Sequence, residues 1–297
     1  MEYAHQRGIA NRFALPIIAA FLIEAPLYLA PFFAGARAAA ARLGRWTFAA
    51  VLAATSVLPY LVYSLPTGSF NGMDLYRIGG LAVTLSFWYL IFPPGIWSDL
   101  LFLAAPTAVI LSKILKQIYW SPLQHEQVYI LGVLMLTHLS ALSMLVQRDL
   151  KGVNPGLLPT RREAIIGVRT FVFFLPVGFA LVWRLHMKIH PAILWKGLPI
   201  FAGIYIFTAF SEEFAFRGVL QQHLTRLLGF WPALILASAL FGLAHLSFGN
   251  IYPNWHMVAL AGPAGLFYGW AYREAGSIRA SMLTHALTVV AWTLWLR

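Results

Sequence analysis

Two glutamates, an arginine and two histidines stand in apolar surroundings in the second half of this chain, and they are the residues with which chemistry could be done. The segment Phe210-Ser-Glu-Glu-Phe-Ala-Phe-Arg-Gly218 carries Glu212, Glu213 and Arg217; Phe241-Gly-Leu-Ala-His245 follows, and His285 sits in a later apolar run. An ionisable side chain at the centre of a membrane helix costs about 2.5 to 3.5 kcal/mol on insertion scales, so each of these needs a reason. On an α-helix Glu213 and Arg217, four residues apart, share a face, whereas Glu212 is turned away from Glu213 by about 100°. One carboxylate can pair with the guanidinium while the other points elsewhere. A carboxylate already neutralised by arginine makes a poor base, which leaves Glu212 as the general-base candidate. Glu212 with His245 could hold and deprotonate a water for attack on a peptide carbonyl. Alternatively, Glu212, His245 and His285 could bind zinc in the manner of His2Glu metallopeptidases. Taken singly, Glu213 and Arg217 read as a structural ion pair, and a lone transmembrane histidine as a hydrogen-bonding link between helices. Glu24 and His138, without comparable companions in the sequence, keep that structural reading.

The elements that must position these residues are membrane helices. Hydrophobic residues make up 60% of the 297 residues and charged ones only 10%, against roughly 25% charged in soluble domains. A soluble fold of this size could not hide so much apolar surface, whereas helices of about 20 apolar residues cross about 30 Å of hydrocarbon. Apolar runs near 13–34, 46–65, 78–97, 99–118, 127–147, 163–184, 192–210, 230–248, 256–272 and 278–296 predict an all-α, polytopic helical bundle of about eight to ten transmembrane helices. Pro93-Pro94 interrupts the third run, and Trp46, Trp120, Trp183, Trp195 and Trp295 stand near span ends as interfacial anchors.

Charge, Gly152, Asn154, Pro155, Gly156 and Pro159 collect between Gln147 and Thr160, which separates an N-terminal helical module, residues 1–150, from a C-terminal one, residues 160–297. The first apolar run follows Arg7 and Arg12, but it is too long for a signal peptide, contains Glu24 and ends in a basic loop, so it reads as a retained helix. The net charge of +11 resides largely in short clusters between apolar runs, such as Arg37, Arg42 and Arg45. That is the pattern of cytoplasmic loops beside anionic lipid, and no basic aromatic groove supports nucleic-acid binding. Absence of cysteine excludes disulfides, thiol catalysis and thiolate metal sites.

Glu-Glu-x-x-x-Arg at 212–217, Phe-x-x-x-His at 241–245 and a last-helix histidine at 285 resemble the successive motifs of the CPBP family, the CAAX protease and bacteriocin-processing (Abi) group that includes Rce1-like prenyl-protein endopeptidases. The stretch Gly265-Leu-Phe-Tyr-Gly-Trp-Ala-Tyr-Arg-Glu-Ala-Gly-Ser-Ile278, leading to His285, also resembles the family's approach to its last motif; residues 195–297 carry the likeness. The resemblance implies an intramembrane endopeptidase in which Glu212 and His245 activate water, Glu213, Arg217 and Phe241 support the site, and His285 stabilises the oxyanion. It implies glutamate-dependent catalysis without a cofactor, with zinc on Glu212, His245 and His285 as the competing proposal. Its partners would be the lipid bilayer and a membrane-associated peptide or protein, prenylated CaaX-type termini being one substrate class. The family's last motif usually reads His-x-x-x-Asn or Asp, yet Val289 stands at that position and cannot make a side-chain hydrogen bond. Asn250, Asn254 and Thr288 are the candidate substitutes. Failing them, the protein would be a catalytically inactive scaffold or a transporter with a relic site. With no cysteine and no organellar targeting segment in evidence, a multi-pass place in a prokaryotic plasma membrane is the expected location.

Overall fold

The computed structural model describes residues 10–121, 127–188, 190, 194–249 and 251–295, and the regular elements among them are all helices, with no strand. The chain forms two compact units, Met1–Leu150 and Lys151–Arg297.

The first unit contains α1 (Asn11–Leu29), α2 (Ala34–Ala41), α3 (Arg45–Thr67), α4 (Gly72–Ile91), α5 (Ile96–Leu111), the short α6 (Leu115–Ile118) and α7 (Ile130–Leu142). Pro93-Pro94 acts as expected: α4 ends at Ile91 and α5 begins at Ile96, since proline lacks the amide hydrogen a helix interior requires. Helix α7 is apolar on all sides and packs against α1, α3, α4 and α5, so it forms the centre of the unit. Two polar clusters are buried around it. His138 Nδ1 lies 2.7 Å from Glu24 Oε1 on α1, and its Nε2 is 3.2 Å from Ser56 Oγ on α3. All three residues are fully buried. Glu24 and His138 therefore do have companions, each other, across 114 residues of sequence. In the second cluster Arg148 Nε donates to both oxygens of Asp99, at 3.0 and 2.9 Å, and the Tyr89 hydroxyl donates to Asp99 Oδ1 at 2.9 Å. Buried charge is thus paired, as an apolar medium demands.

The second unit contains α8 (Arg161–Arg184), α9 (Gly197–Leu228), α10 (Phe230–Ala244), α11 (Trp255–Ala275) and α12 (Ile278–Trp295). Its helix ends are chemically determined. Thr160 and Glu163 form a reciprocal capping box at the start of α8, the Asn254 side chain accepts from Met257 N at 3.1 Å at the start of α11, and Gly276, at φ +68°, terminates α11 in the left-handed conformation that glycine tolerates best. The loop before α8 is tied to the α11–α12 turn: Ile278 N donates to Val153 O at 3.0 Å, and Arg279 pairs with Glu163 at 2.9 Å. Helix α11 packs against α8, α10 and α12. Its approach to α10 depends on absent side chains, because a Cβ on Gly242 would stand 3.1 Å from the Gly262 backbone and from Val258 O.

Among the described residues six helices are long and apolar enough to cross a membrane: Asn11–Phe32, Arg45–Thr67, Ile130–Gln147, Arg161–Arg184, Gly197–Leu228 and Phe230–Ser247. The five tryptophans read as interfacial anchors are all exposed. The protein is a multi-pass integral membrane protein whose outward apolar side chains face lipid.

Candidate active site

Helix α9 is where the expected geometry and the observed one differ most. The sequence suggests a regular α-helix around the Glu-Glu-x-x-x-Arg motif, but Ile204–Ala209 and Phe214–Gln221 are π-helical turns flanking the short α-helical stretch Phe210–Glu213. Such widened turns occur mostly as brief insertions, frequently at functional sites, because they turn side chains out of the ordinary helical register. Here they flank the two glutamates.

Glu213 and Arg217 are both fully buried, with Arg217 Nε 3.2 Å from Glu213 Oε2. Their contact is an ion pair rather than an aligned hydrogen bond. The guanidinium also donates to Gly265 O at 3.2 Å and lies 4.8 Å above the Phe241 ring. Gly265 permits this approach, since a Cβ there would stand 3.3 Å from Arg217 Nη2 and from Phe241 Cδ1. The second oxygen of Glu213, Oε1, is 2.9 Å from His285 Nδ1. A carboxylate only accepts, so Nδ1 carries the proton in this bond and Nε2 is left facing away.

That Nε2 is 3.9 Å from Glu212 Oε2, an oxygen for which the described residues provide no hydrogen-bond partner. Glu212 is partly exposed where Glu213 is sealed. His245, at the C-terminal end of α10, has its Nδ1 2.9 Å from Phe241 O. A carbonyl only accepts, so here too Nδ1–H donates and Nε2 is the free nitrogen. The Phe241 ring is the hub of the arrangement, at centroid distances of 4.9 Å from His245, 5.9 Å from His285 and 5.1 Å from Phe216.

Glu212, His245, His285, Thr288 and Val289 line one cavity of about 490 Å³. Most of its remaining wall is apolar, with Phe171, Phe174, Leu175 and Phe179 from α8 and Trp292 from α12. A small polar floor thus lies in an otherwise greasy pocket, a common plan for a site that must orient a bond while excluding bulk water.

Of the substitutes for the missing amide at 289, Thr288 reaches the cavity, although its hydroxyl donates to Thr284 O at 2.9 Å. Asn254 does not. Its amide is consumed in capping, with Oδ1 accepting from Met257 N and Nδ2 donating to Phe248 O at 3.1 Å. Asn250 lies outside the described residues. As for a metal, among the described residues no group of three or more His, Asp or Glu side chains is arranged to hold an ion. Tyr268 belongs to the site although its type and spacing gave no reason to select it: its ring stacks on His285 at 4.6 Å and 9°.

The family model described as type II CAAX prenyl endopeptidase Rce1-like matches residues 194–291. Over that stretch the resemblance carried by the motifs holds, and it takes in Glu212, Glu213, Arg217, Phe241, His245, His285 and Val289. Helix α8 and the whole first unit lie outside it. No curated protein and no solved structure matches the chain.

Proposed function

We propose that the protein is an intramembrane endopeptidase that hydrolyses a peptide bond in a membrane-associated protein or peptide, using water activated by Glu212 and His245. The observation that carries this reading is the division of labour between adjacent carboxylates. Glu213 is committed to Arg217 and His285, while Glu212 lines the cavity with Oε2 outside any hydrogen bond and 3.9 Å from His285 Nε2. The match to the Rce1-like family supports the same reaction class.

In the proposed sequence a water donates one hydrogen bond to Glu212 and another to His245 Nε2. Glu212 removes the proton as the water oxygen attacks the carbonyl carbon, and the carbonyl electron pair moves onto oxygen. His285, with Nδ1–H held by Glu213, presents Nε2 to that oxyanion and donates to it as the imidazolium. With Glu212 neutralised, Glu213 and the oxyanion face one guanidinium and one imidazolium, so the buried charge balances. Glu212, now a carboxylic acid, returns the proton to the amine nitrogen as the C–N bond breaks. The apolar wall would receive the hydrophobic part of the substrate, a prenyl chain on a CaaX-type terminus or an apolar peptide segment. We place the protein in a prokaryotic plasma membrane.

The test is a comparison by mass spectrometry of new protein termini in membranes holding native protein and in membranes holding equal amounts of Glu212→Gln. Termini that vanish in the variant support the protease and report its substrates. Identical lists, where the protein is known to act, would favour an inactive scaffold or transporter, for which Val289 in place of an amide is the motivating observation.

A further inference from the structure

We propose that the Tyr268 hydroxyl supplies a hydrogen bond to the oxyanion, taking the part of the side-chain amide that position 289 lacks. This rests on the endopeptidase reading above.

Val289 lines the cavity one turn beyond His285 and offers nothing but methyl groups, so position 289 supplies no donor to a charge that develops beside His285. Tyr268 approaches the same place from α11. Its ring lies parallel to the His285 imidazole at 4.6 Å and lines the cavity together with Thr288 and Val289. Thr288 Oγ1 spends its own proton on Thr284 O, so it has none left for a charge in the cavity. A phenol hydroxyl is a donor, so Tyr268 can turn its proton toward negative charge that appears in the cavity it lines. Two further neighbours fix the ring. It packs edge to face on Phe241 at 5.9 Å, the Arg217 guanidinium is 5.8 Å from its centroid, and it is 2% exposed while still lining the cavity. A donor held in advance costs no reorganisation at the moment of reaction, which is the physical content of oxyanion stabilisation.

The experiment follows, over time and at equal protein abundance, the termini that native membranes produce and Glu212→Gln membranes do not. Tyr268→Phe keeps the ring and its stacking and removes only the hydroxyl; the expected loss in rate is about 10²- to 10³-fold, as for removal of one oxyanion donor elsewhere. Val289→Asn in the Tyr268→Phe background is expected to restore at least about tenfold of that loss. A purely packing role could not be rescued in this way, because Val289 makes no hydrogen bond to inherit. Tyr268→Phe within threefold of native, or reduced with no rescue by Val289→Asn, overturns the inference while leaving the endopeptidase reading intact. If Glu212→Gln produces the same termini as native protein, the endopeptidase reading fails and takes the Tyr268 assignment with it.

Discussion

Arg217→Met should destabilise the second unit more than Glu213→Gln/Arg217→Met does, even though the double variant changes more atoms. In the native protein the guanidinium neutralises a carboxylate that has no exposure at all. Removing the cation alone strands that charge, and breaking a buried pair from one side costs about 3 to 5 kcal/mol. Loss of the guanidinium over the Phe241 ring at 4.8 Å adds up to about 2 kcal/mol. The double variant shares that second loss and the loss of the hydrogen bond to Gly265 O, and it carries a buried amide with incompletely paired atoms at about 1 to 3 kcal/mol, but it leaves no buried charge unpaired. Its neutral amide oxygen can still accept from His285 Nδ1. The single variant is therefore expected to be the less stable by about 2 kcal/mol, an inversion of the order that simple contact loss would give. Thermal melting of the full chain in detergent micelles measures it, at about 2 to 4 °C of melting temperature per kcal/mol for a domain of this size. If the double variant melts at or below the single one, Glu213 is not the charged structural partner of Arg217, and the separation of roles between the two glutamates collapses.

Four further outcomes are expected. His138→Ala should lower the stability of the first unit by about 3 kcal/mol or more, because the 2.7 Å contact to fully buried Glu24 has the length of a charge-assisted bond; a loss near 0.6 kcal/mol in a melting experiment would instead describe a neutral interhelical bond. Gly242→Ala should cost about 1 to 3 kcal/mol, since the atoms its Cβ would meet at 3.1 Å are backbone and cannot turn aside, whereas free tolerance in a melt would contradict the close α10–α11 crossing. Asn254→Ala should cost about 1 kcal/mol as a lost helix cap and leave the rate of terminus formation unchanged at equal folded abundance. A fall in rate as large as that of an oxyanion donor would return Asn254 to the site. Chelation with 1,10-phenanthroline should leave activity intact under the water-activation mechanism, and loss restored by added zinc would favour the metal reading with Glu212, His245 and His285 as ligands.

Much of the helical architecture could be read from the sequence because the bilayer imposes one simple rule, that backbone polar groups be satisfied inside each apolar span. Each apolar run corresponds to a helix, and Pro93-Pro94 breaks the chain where the missing amide hydrogen requires. Glu212, His245 and His285 could be selected because charged or ionisable side chains stand out on apolar helices, and the cavity they share brings three helices together. What the sequence concealed has physical reasons too. The π-helical turns on either side of the glutamates have no signature in residue type, since the same residues serve a regular helix equally well. The Glu24–His138 contact spans 114 residues and follows from packing, which periodicity does not report. Asn254 is a polar residue in a polar stretch, equally suited to capping and to catalysis, and the start of α11 decided its use. Tyr268 lies among Phe, Tyr and Trp neighbours in a membrane helix, where an aromatic residue reads as packing or as an anchor, so its parallel stacking on His285 had no signal in the sequence.

The most direct measurement is the cleavage rate, in reconstituted proteoliposomes, of a peptide spanning one of the termini lost in Glu212→Gln membranes, compared for native protein, Glu212→Gln and His245→Ala. With Glu212 as the base and His245 as its partner on the water, both substitutions should reduce the rate by about 10²-fold or more while melting temperatures stay near native. Retention of the native rate by a folded Glu212→Gln protein would contradict the assignment, because among the described residues no other carboxylate lines that cavity to take the proton.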